Sequence, residues 1–219
     1  MNNRKCLVCG LVNFANADLC PRCGAGLNKD DALDSEDDSA QRSSSFFKRA
    51  LITLVVAFCA VLALHASLLL TSEAITAEQR QTVLRSVRVL EARGFSNEAW
   101  LLRHVVSFRQ NDNWWNATVG HADAYAATNF PFEIVTLYPD FFTAPADDTE
   151  RAAILLHEVQ HLRGAGEEKA FAEVWQNRVR LGWTEEEYQG TRVWHGTEEL
   201  TREHAPHLFD CAVGAVCAD

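Results

Sequence analysis

The chain has 219 residues, room for one medium domain with attachments. Its formal net charge of −10 is unevenly placed: residues 1–71 carry seven Lys/Arg and seven Asp/Glu, whereas residues 72–219 carry thirteen and twenty-three. So acidic a C-terminal part argues against nucleic acid or anionic lipid headgroups as its ligand, and no repeat of solenoid length is visible.

Residues 5–24 read KCLVCGLVNFANADLCPRCG, two CxxC pairs separated by ten residues. Each pair can present two thiolates from a tight turn, and Cys6, Cys9, Cys20 and Cys23 together complete a tetrahedron around zinc. Gly10 and Gly24 follow the pairs, as such turns require. A module this small lacks an apolar core, so the metal would supply the folding energy. Two disulfides in a secreted module are the competing reading. The stretch resembles a small bacterial zinc ribbon, and with Asn13 between the pairs it also resembles the RanBP2-type zinc finger. Arg4 stands where that finger has tryptophan, so its RNA or ubiquitin binding does not carry over.

Residues 28–49 are acidic and then serine-rich, and read as a disordered linker. Residues 50–71 begin with ALITLVVAFCAVLALHASLLL, which has no formal charge and no polar stripe. Those twenty-one residues make a helix of about 31 Å, against roughly 30 Å of hydrocarbon in a bilayer. This predicts a transmembrane helix. His65 near its end is read as tolerated, with an intramembrane role as the alternative. A cleaved signal peptide fits less well, because the apolar run is too long and a cysteine module precedes it. Arg42, Lys48 and Arg49 precede the span while Glu73 and Glu78 follow it, which keeps the N-terminus in the cytoplasm by the positive-inside rule. Zinc thiolates suit that reducing side. Cys211 and Cys217 can pair on the oxidising side or stay as buried thiols.

Residues 72–219 are helix-rich. A helix is expected from Thr76 to Arg93, with Val83, Leu84, Val87 and Leu90 on one face and Gly94 as its stop. SNEAWLLRHVVSF (96–108) reads as a second helix, and FEIVTLY (132–138) as a strand ended by Pro139. DDTERAAILLHEVQHL (147–162) and EEKAFAEVWQNRVRLG (167–182) are two more helices, and TEEEYQ (184–189) opens a short one. DNWWN (112–116) and ATNFPF (127–132) are aromatic and can line a cleft, although packing is the commoner use.

Inside the third helix stands His157-Glu158-Val159-Gln160-His161. Residues four apart share a helix face, so both imidazoles can reach one ion. Glu158 then projects toward water held there, placed as a general base. With 8 His and 17 Glu, chance gives H-E-x-x-H in about two chains in a hundred of this composition, so context must decide. The apolar run AAILL before the motif turns the histidines toward the interior; two packed histidines are the bland alternative. A hydrolytic zinc needs a third protein ligand and an open position. Gly164 and Gly166 permit a sharp turn, and the next helix opens with Glu167-Glu168. Glu167 lies three and four residues before Ala170 and Phe171, on the core stripe, so it is the expected third ligand, with Glu168 second. The bland role for both is to stabilise a helix N-terminus.

This pattern resembles the HExxH zinc metallopeptidases, the zincins, over roughly residues 130–175. In the gluzincin branch the third ligand is a Glu within E-x-x-A on a following helix, which Glu167-Glu168-Lys169-Ala170 matches. Phe171 replaces the Asp frequent four residues after that ligand. The spacing from His157 through Gly164 to Glu167 also fits metzincins, which need a methionine turn; the sole methionine is Met1. The resemblance implies that an edge strand binds extended peptide and that a downstream His or Tyr stabilises the oxyanion. FEIVTLY is the candidate strand, or else a core strand, and Tyr188, His195, His204 and His207 are the candidate donors.

The expectation is an α+β, helix-rich, zincin-like domain at 72–219, behind a four-cysteine zinc ribbon (1–27), a linker (28–49) and a transmembrane helix (50–71). It describes a single-pass protein of the inner membrane with a periplasmic or extracellular metallopeptidase. One catalytic and one structural zinc, a protein or peptide substrate and a cytoplasmic protein partner of the ribbon are implied. Two other classes stay open: an inactive zincin-like scaffold, and a signalling protein acting through its ribbon.

Overall fold

The computed structural model describes residues 3–27, 35–118 and 124–209, with backbone alone for 35–46. The expected pairing of Cys211 with Cys217 lies outside the described residues. The chain divides into two compact units, Met1–Val61 and Leu62–Asp219.

The first unit begins with a hairpin of β1 (Arg4–Lys5) and β2 (Val12–Asn13), paired antiparallel. Helix α1 (Ser35–Leu70) runs on into the second unit. It starts inside the stretch 28–49 read as a linker, of which residues 28–34 lie outside the described residues. Helix growth is cooperative, so a strong apolar segment extends into its polar flank. Among the described residues one helix, Phe47–Leu70, is long and apolar enough to cross a membrane, with mean hydropathy 2.4.

The second unit packs helices against a three-stranded sheet. Thr76 caps α2 (Ala77–Ala92) in a capping box with Gln79. Helix α3 (Ser96–His104) stops earlier than expected, because Ser107–Arg109 leaves it to form β3. β4 (Ala126–Asn129) and β5 (Ile134–Leu137) complete a sheet of order β3-β5-β4, with β3 parallel and β4 antiparallel to β5. FEIVTLY therefore supplies the fully buried central strand, not an edge, and the edges are β3 and β4, the latter reading AATN. Pro139, the strand stop, becomes the first residue of α4 (Pro139–Thr143).

Helix α5 (Asp148–Leu162) is the centre of the unit. Its Ala152, Leu155, Leu156 and Val159 are completely buried in one core with Val83, Val87 and Leu90 of α2. At its N-terminus Asp147 caps the Thr149 and Glu150 amides. The carboxylate of Glu150 is buried there; it accepts from Ala146 N–H at 2.7 Å, from the Trp183 indole at 3.3 Å and from the Thr191 hydroxyl. A buried carboxylate with three donors is compensated, so it ties the start of α5 to the last three helices of the unit. These are α6 (Glu167–Leu181), α7 (Glu185–Tyr188) and α8 (Arg192–His204). Trp175, Trp183 and Trp194 meet behind α5, with ring centroids 4.8 to 6.4 Å apart.

Candidate functional site

The cysteine module is built from two matching turns. Gly10 N–H returns to Cys6 O and Gly24 N–H to Cys20 O, each at 2.8 Å, with both glycines at positive φ. The turns bring Cys6 Sγ within 3.5 Å of Cys23 Sγ, and Cys9 Sγ within 3.5 Å of Cys20 Sγ. All four sulfurs lie within 4.8 Å of one another, so the cluster can hold a metal ion. Tetrahedral zinc with sulfurs at about 2.3 Å needs them about 3.8 Å apart, close to this spacing. The Cys9 and Val8 amides pull the Cys6 thiol down. Burial works to raise the Cys20 thiol, but the Arg22 and Cys23 amides outweigh it and leave it at about 6. Among the described residues Cys6, Cys20 and Leu27 form the buried centre of this module, with Cys9, Leu11, Ala17 and Ala25 packed against it, too little to fold it unaided.

The second cluster lies on α5. His157 and His161 stand one turn apart with their Nε2 atoms 2.9 Å from each other. The helix ends in a Schellman turn: Ala165 N–H reaches Gln160 O, and Gly164, at φ +77°, reaches His161 O. This turn has two consequences. Ala165 O accepts from His161 Nδ1 at 3.0 Å, a bond that keeps the proton on Nδ1 and turns the Nε2 lone pair inward. And α6 starts at once, with Glu167 as its first residue. Glu167 Oε2 lies 3.3 Å from His157 Nε2 and Oε1 lies 3.4 Å from His161 Nε2. The three residues converge on one point. Two imidazoles and a carboxylate are a donor set suited to zinc, with a side left open to the cleft.

Electrostatics match the geometry. Burial works against a charged His161, but the Glu167 hydrogen bond, the Ala165 carbonyl and the Glu158 charge raise it to about 9. The hydrogen bonds from His157 and His161 hold the Glu167 carboxyl far below the usual range. The converging group holds neither Glu168 nor Glu173, and the latter accepts a hydrogen bond from Asn177.

Glu158 is buried, and its Oε2 accepts from Thr128 Oγ1 of edge strand β4 at 2.7 Å. Histidines, Glu158, Glu167 and β4 line one cleft of about 1160 Å³. That exceeds the roughly 300–1,000 Å³ of small-molecule sites and has room for a polypeptide segment. Phe171 packs on His157 at 4.4 Å and stacks on His204 at 5.4 Å and 2°, so ring packing joins the Glu167 carboxylate in steadying the first histidine.

Of the four candidate oxyanion donors, His204 alone lines the cleft. Tyr188 donates to Asp147 Oδ2 at 2.7 Å, ten residues up α5 from His157, or about 15 Å away. His195 and His207 are exposed elsewhere. Ala127, Thr128 and Phe130 of the stretch ATNFPF line the cleft, whereas Arg192 and the bond from Thr128 to Glu158 carried no signal in the sequence. No protein-family model matches the chain, and no curated protein or solved structure matches it.

Proposed function

We propose that the C-terminal unit is a membrane-anchored zinc hydrolase, a gluzincin-like metallopeptidase that cleaves protein or peptide substrates. The meeting of His157, His161 and Glu167 beside buried Glu158, in a cleft bordered by a strand edge, carries this reading. His157, His161 and Glu167 hold the ion, which when bound supplies a Lewis acid for a carbonyl oxygen and acidifies a water. Glu158 receives that water's proton on its carboxylate and passes it toward the leaving amine, while Thr128 fixes the carboxylate's rotation. β4 offers its outer edge to an extended chain, a role the sequence suggested for FEIVTLY. His204 is the donor nearest in place to steady a developing oxyanion.

The same reading holds a second, structural zinc on Cys6, Cys9, Cys20 and Cys23. It leaves the N-terminus in the cytoplasm and the hydrolase outside the inner membrane, as the flanking charges favour. The deciding experiment is metal content and proteolysis of the full chain in detergent. Two zinc ions per chain are expected, one in His157→Ala/His161→Ala and one in Cys6→Ser/Cys9→Ser. Glu158→Gln should keep both ions and lose about 10²–10⁴-fold in rate. Full metal with no turnover by wild type on a broad peptide library would make the domain a scaffold. Loss of neither ion on removing the histidines would end the reading.

A further inference from the structure

The end of α1 is built into the second unit. Leu64, His65, Ser67 and Leu69 are partly covered, and Leu68 is fully buried. The Arg109 guanidinium covers the helix end, donating to the carbonyls of Leu69 and Ser72, so the last carbonyls are satisfied and the dipole is opposed. Trp114 is fixed to the same turn: its indole donates to Ser67 Oγ at 3.0 Å and its amide to Thr71 Oγ1 at 3.3 Å.

Large apolar side chains stand open around this junction. Leu70 is 85% exposed, Trp114 46% and Trp115 41%, and the two indoles lie 5.9 Å apart. A buried hydrogen bond, not exposed surface, links this face to the cleft. Asn113 donates to Asn129 at 2.7 Å, next to Phe130, which is 55% exposed, lines the cleft and packs over Gly164.

Length sets the depth of this face. If hydrocarbon begins at Ala50, just past Lys48 and Arg49, the 21 residues to Leu70 rise about 31 Å and reach the far boundary of a roughly 30 Å core. Ser67 lies three residues, about 4.5 Å, inside that boundary. The Trp114 indole bonded to it is therefore level with the zone where tryptophans collect in membrane proteins, apolar body inward and N–H satisfied.

We infer that Leu70, Trp114 and Trp115 form a seat in the outer boundary of the bilayer, which holds the Phe130 side of the cleft at the lipid surface. The occupant of this patch is lipid because the patch surrounds the point where the apolar helix enters the domain. Apolar contact drives the seating, so the domain's acidic charge is no obstacle and zwitterionic lipid suffices. The inference rests on the transmembrane reading of α1 and is independent of whether the cleft is a peptidase.

The test uses the full chain in phosphatidylcholine nanodiscs, with plain acyl chains or with bromines placed near the headgroups. Brominated lipid is expected to quench tryptophan emission, and Trp114→Phe/Trp115→Phe to remove most of that quenching. Phenylalanine preserves the packing, so loss of fold is not at issue. Trp100→Phe, at an exposed site on α3, should leave the quenching unchanged. Equal quenching in wild type and the double variant would overturn the seat, as would its absence. A chain released from membranes by alkaline wash would overturn the transmembrane reading and the seat together. Cleavage and zinc binding enter neither readout, so a failed peptidase reading leaves these outcomes distinct.

Discussion

Serine placed at two glycines, two residues apart, should act in opposite directions. Gly164 has φ +77°, and a Cβ there would stand 3.4 Å from Phe130 Cζ. A non-glycine residue in the left-handed region costs about 1–2 kcal/mol, and the contact with Phe130 adds to it. Gly166 has φ −82° and ψ 176°, with open space around a Cβ. It occupies the N-cap of α6 without a side-chain cap, where serine is preferred and gains a few tenths of a kcal/mol. For a unit of this size, 1 kcal/mol shifts Tm by roughly 2–4 °C, so Gly164→Ser should melt about 2–8 °C lower. The turn also sets Ala165 O on His161 and launches Glu167. If the strain is relieved by moving those residues, zinc affinity falls by up to about 30-fold, the equivalent of 2 kcal/mol. Circular-dichroism melts of metal-free protein and competition against a chromophoric chelator measure the two effects. Gly166→Ser should match or slightly exceed wild type in both. Equal behaviour of the two variants would refute the role given to the Schellman turn.

Three further outcomes are expected of the site. Glu167→Gln should lose zinc from the α5 site while Glu168→Gln retains it, as read by equilibrium dialysis. Thr128→Val should lower kcat by about ten- to a hundred-fold with zinc content and KM unchanged, since a hydrogen bond to a charged group contributes roughly 1.5–3 kcal/mol. In metal-free protein the His161–Glu167 pair should make stability depend on pH from both sides. His161 is raised to about 9, so its contribution is complete below its unfolded value near 6.5 and is lost as pH rises through 9. Glu167 is lowered, so its contribution is present above its unfolded value near 4.3 and is lost as pH falls further. Tm against pH should peak between these limits, and Glu167→Gln should flatten the alkaline side.

The meeting of His157, His161 and Glu167 was legible because its geometry is local. His157 and His161 are joined by helix periodicity, and Glu167 by a short turn whose glycine is required by backbone sterics. The two cysteine turns are local in the same sense. What escaped depends on distant partners. The run Val105-Val106-Ser107-Phe108 satisfies helix and strand patterns alike, and only pairing of Ser107–Arg109 with Ile134–Thr136 of β5 makes it a strand. Helix α8 buries only Val193, Trp194 and Thr201 and contains Gly196, so it shows too thin an apolar stripe to be seen. Arg192 and the place of His204 were hidden with it.

The edge strand is the instructive case. Ala126-Ala127-Thr128-Asn129 has little strand propensity, and its existence rests on antiparallel pairing with the apolar strand β5. A bulkier, β-branched edge would have been read at once. It would also have filled the space between sheet and α5, where the cleft now runs past Ala126, Ala127 and Thr128. The small side chains that hide the strand keep its backbone edge approachable, and the single hydroxyl among them is the one that meets Glu158. Weak local signal and an open cleft thus have one cause here: positions that line open space cannot also pack as a core.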